Sequence, residues 1–196
     1  MHDFHLMEKL IYTVFFFIRM KLITRFSSNL RRFYFRVQGM KIGVNTHIPK
    51  IFITWPHQVK IGSNCRLERN IIFNFDSIYQ PGANIIIGNY NFIGNGVECN
   101  IQARLTVGNS CLIASGVKFI DHDHGTTKSA YIKNQHSKKQ EIKVGNDVWI
   151  GANAIILKGT IIEDGAIIAA GSVVKGHINS MEIWAGVPAK KIKERL

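Results

Sequence analysis

Between Val144 and Val174 an aliphatic residue stands at every sixth position: Val144, Ile150, Ile156, Ile162, Ile168 and Val174. The residue after each is small or polar (Gly145, Gly151, Glu163, Ala169, Lys175), with Leu157 the exception. The residue four after each is compact: Val148, Ala154, Thr160, Ala166, Ser172. Six is neither the helical period nor the strand alternation. It is an internal repeat, and a repeat decides the architecture. Each hexapeptide supplies one short strand and one tight corner. The leading aliphatic and the compact residue point inward, and glycine permits close backbone approach. One unit cannot bury its own apolar side, so units must stack. The β-branched richness suits short strands.

The same phase is present earlier. Ile42-Gly43 with Thr46 and Ile48, then Ile61-Gly62 with Cys65, Leu67, Ile71 and Phe73, hold it. So do Ile87-Gly88, Ile93-Gly94 and Cys99, and, after a slip of two, Val107-Gly108, Ile113 and Phe119. Pro49–His57 breaks the phase and predicts a bulged corner; 74–84 predicts a loop or irregular corner. From 121 to 143 the period is lost in a polar stretch opening on Asp121-His122-Asp123-His124-Gly125. A long excursion inside a regular solenoid marks function. Neutral histidine is the side chain poised to take a proton near pH 7.

Residues 1–38 differ from the remainder, 39–196. They carry seven cations (Lys9, Arg19, Lys21, Arg25, Arg31, Arg32, Arg36) among many aromatic and aliphatic residues, including Phe15-Phe16-Phe17. The longest uncharged apolar run, Leu10–Ile18, is nine residues, against the ~20 that span a bilayer. No small-residue cleavage site follows, so a signal peptide is not expected. The segment predicts helix over much of 4–36. It reads either as an interfacial helix making a peripheral membrane contact or as a helix packed on the coil. The net charge of +12 fits an anionic surface or an acidic ligand; nucleic acid ranks last, because no module signature is present. Cys65, Cys99 and Cys111, an odd count with no CxxC pair, read as reduced core residues of a cytoplasmic protein.

The phrases VWIGANAII at 148–156, IIAAGSVVKG at 167–176 and WAGVPAKKIKERL at 184–196 make the chain resemble the hexapeptide-repeat acyltransferases. The likeness is greatest to the maltose/galactoside O-acetyltransferase branch and its relatives that act on lipopolysaccharide and capsule. It covers roughly 40–196. It implies an all-β, left-handed parallel β-helix with three hexapeptides per coil and a homotrimer; the residues themselves add the N-terminal helical segment and, over 189–196, a short basic C-terminal capping helix. It also implies an acetyl-CoA-dependent O-acetyltransferase of a saccharide hydroxyl in lipopolysaccharide, O-antigen or capsule biosynthesis, without a metal. An ungapped match from the Ile113 repeat puts the general base at His124, with His122 as second choice. Asp121, Asp123 or a backbone carbonyl would fix its tautomer.

By the same resemblance Trp149, Ala152 and Ala170 meet the pantetheine arm of coenzyme A, and Lys190 and Lys193 its phosphates. Lys175-Gly176 stands where many members have Thr-Lys, so Lys175 is displaced by one. A solvated basic tail and a Trp149 used in trimer packing are the bland readings. Asn95, Asn100 and Gln102 are the acceptor-binding candidates, although asparagine also fills tight corners. Alternatives are N-acetylation of an amino sugar, small-molecule acetylation, or a zinc lyase like the γ-type carbonic anhydrases, with His136 or His177 as third ligand.

Overall fold

The computed structural model describes residues 2–18 and 23–195; Arg19, Lys21 and Leu196 of the preceding section lie outside the described residues. From residue 41 the chain winds into a left-handed parallel β-helix of triangular cross-section. Its first face stacks Lys41–Ile42, Val59–Ile61, Ile85–Ile87, Leu105–Val107, Ile142–Val144, Ile161–Ile162 and His177–Ile178. Its second stacks Arg66–Leu67, Phe92–Ile93, Leu112–Ile113, Trp149–Ile150, Ile167–Ile168 and Glu182–Gly186. Its third stacks Phe52–Ile53, Ile72–Phe75, Glu98–Ile101, Lys118–Ile120, Ile155–Leu157 and Val173–Val174.

The register is that of the repeat. Ile61, Ile87, Val107, Val144 and Ile162 lie one above another on the first face, and Ile93, Ile113, Ile150 and Ile168 do so on the second. These columns and the compact residues Val97, Cys111, Val117, Val148, Ala154 and Ala166 form one buried core. The three cysteines are free and buried; burial pushes the Cys111 thiol up to about 11. Glycine follows the leading aliphatic because the next coil is too close for anything larger. A Cβ on Gly108 would lie 2.5 Å from the carbonyl oxygen of Gly145.

The corners between first and second face, and between second and third, are short and regular. A column of asparagines ties the former together. The Asn89 N–H donates to Asn109 Oδ1 (2.8 Å), the Asn109 N–H to Asn146 Oδ1 (2.9 Å), and the Asn146 N–H to Asp164 Oδ1 (2.7 Å). Every long departure from the period lies on the remaining edge, between third and first face. The Pro49–His57 stretch supplies the third-face strand Phe52–Ile53 and then a 3-10 turn, Pro56–Gln58, on that edge. Residues 76–84 and 121–141 leave the coil there too.

An element lies against each end of the coil. Helix α1 (His2–Phe17) precedes helix α2 (Thr24–Val37). Helix α2 lies on the first coil, where Ser28 is buried and Phe35 joins the core. The Ile48 N–H donates to Ser28 Oγ (2.9 Å). Arg31 Nε donates to the Ile48 carbonyl (3.2 Å), Arg32 to that of Gly43 (3.2 Å) and Arg36 to that of Ile42 (2.6 Å). At the other end the capping helix expected over 189–196 is absent. Ala189–Glu194 is a strand that turns back at Pro188 and pairs antiparallel with Glu182–Gly186. The last parallel strand leaves a row of unpaired backbone groups, and satisfying them outweighs the helix propensity of the lysine-rich tail.

Candidate active site

The edge between third and first face gathers the polar side chains. Asp121 stands where the fourth coil ends its third-face strand, and it is fully buried. Its carboxylate accepts the backbone N–H groups of Gln102 (2.8 Å) and Ala103 (2.7 Å), one coil below. It also lies 3.1 Å from His122 Nδ1. A carboxylate accepts, so Nδ1 is the donor in this contact. His122 is only 10% exposed in its side chain, and its Nε2 is 4.0 Å from Asp76 Oδ2. Asp123 is occupied by Lys158. Of the acceptors considered for the histidine tautomer, Asp121 therefore serves His122.

His124 is two residues on and exposed. Among the described residues its ring has no hydrogen-bond or ion-pair partner. His122–Asp123 pairs antiparallel with Lys138–Lys139, so the excursion is a hairpin. Gln135 fastens its tip. Its Oε1 accepts from the Thr127 N–H (2.9 Å), and its Nε2 donates to the Ala130 carbonyl (2.7 Å). Gly125 is buried beneath it; a Cβ there would meet the Gln135 side chain at 2.5 Å.

Of the acceptor candidates, two come to this edge. Gln102 donates to Asp76 Oδ2 (3.1 Å) and accepts from Ser137 Oγ (2.6 Å). Asn100 accepts from Asn74 Nδ2 (2.9 Å). Asn95 sits at the corner between second and third face, where its backbone N–H donates to Glu68. Asp76 was read only as part of an irregular loop. The signal that could have found it is positional, since 74–84 and 121–143 interrupt the period after third-face strands. Trp55, His57 and Tyr79 cluster on the same edge, with Trp55 and Tyr79 ring centroids 6.3 Å apart.

The residues assigned to coenzyme A lie mostly elsewhere. Trp149 is on the second face, 51% exposed, between Leu112 and Ile167 in register. Ala152 and Ala170 are at the corner that follows. Lys190 and Lys193 are on the C-terminal strand beside Ala185 and Ile183. Neighbouring cations are tied down: Lys191 is held by Glu182 (2.9 Å) and Glu194 (3.1 Å), and Arg195 by Asp147 (2.7 Å). Lys190 and Lys193 have no ion-pair partner among the described residues. Lys175 is exposed at the corner after Val174, on the histidine edge and apart from this group. His177 is paired with Glu163 (2.7 Å) on the first face, and no three potential metal ligands converge among the described residues.

The family described as bacterial transferase hexapeptide (six repeats) matches residues 141–176. A putative lipopolysaccharide biosynthesis O-acetyl transferase of Escherichia coli (strain K12), WbbJ, is 30% identical over 148 residues, 66% of this chain and 76% of that protein. The galactoside O-acetyltransferase of the same strain is 31% identical over 134 residues, 68% of this chain and 63% of that protein. Among solved structures, a serine-to-cysteine mutant of AntD, an N-acyltransferase from Bacillus cereus in complex with dTDP-4-amino-4,6-dideoxyglucose and coenzyme A, superposes with a TM-score of 0.71. It is 23% identical, covering 84% of this chain and 89% of that one.

Proposed function

The chain belongs to the hexapeptide-repeat acyltransferases, and from that membership we propose an acetyl-CoA-dependent O-acetyltransferase of a saccharide hydroxyl in lipopolysaccharide, O-antigen or capsule biosynthesis. Acetyltransferase activity follows from the family; the hydroxyl acceptor and the pathway are our reading. The observation that carries it is the hairpin at 121–141, which holds an exposed His124, unpartnered among the described residues, two positions from a carboxylate-fixed His122.

In this reading His124 takes the proton of the acceptor hydroxyl as the oxygen attacks the thioester carbonyl. Backbone N–H groups hold the oxyanion, the C–S bond breaks, and the proton on His124 passes to the leaving thiolate. Asp121 and His122 seat the hairpin. Asn100 and Gln102 face the acceptor; Asn95 does so only from another copy of the chain. Trp149, Ala152 and Ala170 line the pantetheine arm, while Lys190 and Lys193 neutralise phosphate. Lys175, on the other edge, is left without a role.

A homotrimer is part of the proposal. The histidine hairpin and the coenzyme A residues occupy different edges of the same prism. In a three-fold ring the histidine edge of one copy meets the second face of the next. Along that face run Phe92, Leu112, Trp149 and Ile167, an outward apolar column suited to such a contact.

His124→Ala is expected to lower acetyl transfer about 10²–10⁴-fold while acetyl-CoA affinity is retained, and His122→Ala is expected to cost less. Assays on paired hydroxyl and amino acceptors decide between O- and N-transfer. Equal activity of His124→Ala and the parent chain overturns the assignment.

A further inference from the structure

Helix α2 is amphipathic in the inverse sense. Its polar and basic side, Ser28, Arg31, Arg32 and Arg36, faces the coil and saturates backbone groups of the first turn. Its apolar side, Phe26, Leu30, Phe33 and Val37, recurs at helical spacing and faces away; Phe33 is 70% exposed and Val37 72%. Helix α1 adds Leu10, Ile11, Val14 and Phe15–Phe17 to the exposed apolar set. Residues 7–37 supply 15 of the 30 large apolar side chains exposed among the described residues. A patch of that kind marks an interaction surface.

Charge decides what covers it. The two coils beneath α2 expose Lys41, Lys50, Lys60, Arg66 and Arg69 against a half-buried Glu68 and an exposed Asp76, and the helices add Lys9 and Arg25 against a half-buried Glu8. A second copy meeting this end face to face would bring two basic collars together, and like charges oppose that contact. An anionic bilayer satisfies both halves of the surface, with acyl chains for the aromatics and phosphates for the collar. No helix among the described residues is long and apolar enough to cross a membrane.

We propose that the outward face of α2, together with α1, lies in the interface of an anionic phospholipid bilayer and stands the β-helix end-on to the lipid. The histidine hairpin leaves the coil three turns above the first. At ~4.8 Å per turn, plus ~10 Å for the helix, it stands roughly 25 Å from the lipid surface, within reach of a membrane-tethered acceptor.

The test uses the full chain with vesicles of phosphatidylcholine alone and of phosphatidylcholine with phosphatidylglycerol, in a flotation assay. The parent chain is expected to float with the anionic vesicles and much less with the neutral ones. Phe26→Ser/Phe33→Ser, both at exposed positions, is expected to reduce that partition at least tenfold with an unchanged circular dichroism spectrum. In a second measurement, Phe33→Cys is labelled with an environment-sensitive fluorophore, the three native thiols being buried. Its emission should shift to the blue on anionic vesicles only. Failure of the parent chain to float, equal flotation of the double variant, or an unshifted label overturns the proposal. So does a fall in particle mass caused by the double variant in the absence of lipid, which would assign the face to a second copy.

Discussion

Two glycines, Gly108 and Gly96, are required for different reasons. Gly108 has no freedom because a Cβ would meet the backbone of the next coil, which cannot move aside. Gly108→Ala is expected to cost about 3 kcal/mol or prevent folding. Gly96 is a different case. Its φ of 67° lies in the left-handed region with open space around it. Gly96→Ala should cost about 1–2 kcal/mol, and Gly96→Asn close to nothing. Asn70 and Asn153 occupy the same corner at φ 61° and 57°. Urea unfolding midpoints of the three variants check the order. The inward residues were legible because the period alone sorts in from out. Asp121 beside His122 was legible too, as its sequence neighbour, but Asp76 near the ring and the Gln102 N–H that holds Asp121 were not: both arrive from coils below, and contact between coils is fixed by the lengths of the excursions.

At the scale of elements, the C-terminal hairpin makes a pH-dependent prediction. Glu182 is buried, and Lys191, with further help from the Trp184 indole N–H (2.8 Å), holds its carboxyl down to about 2. An unfolded glutamate titrates at about 4.3. Between these values the unfolded state binds more protons, so stability rises with pH there and is lost as pH falls from about 4.3 towards 2. The Trp184 indole N–H resonance should report release of the hairpin in that window, and Glu182→Gln should abolish the dependence. A flat response in the parent chain would contradict the pairing. The tail itself was misread as helix because its composition favours one; only the open edge of Glu182–Gly186 explains the strand. Helix α2 was legible as a helix, but the direction of its arginines was not, since their acceptors are main-chain carbonyls that carry no sequence signal. Of the two readings of the N-terminal segment, packing on the coil describes the inward side of α2, where Ser28 and Phe35 are built into the first turn.

For the whole molecule, the separation of the histidine edge from the second face predicts complementation between chains. His124→Ala and Lys190→Ala/Lys193→Ala preparations, each impaired alone, should regain activity after co-refolding. Random mixing in a ring leaves about a quarter of the interfacial sites intact. No recovery above the mean of the two preparations would place each site within one chain. The elements at the two ends carry a consequence of another kind. A parallel stack with a uniform cross-section is a template for its own continuation, because its last coil offers hydrogen bonds to any first coil. Here the guanidinium groups of α2 occupy carbonyls at one terminus, and at the other a returning strand occupies the second face. Each blocked edge is one on which a further coil cannot stack, so the same contacts that finish the fold oppose its growth into a filament.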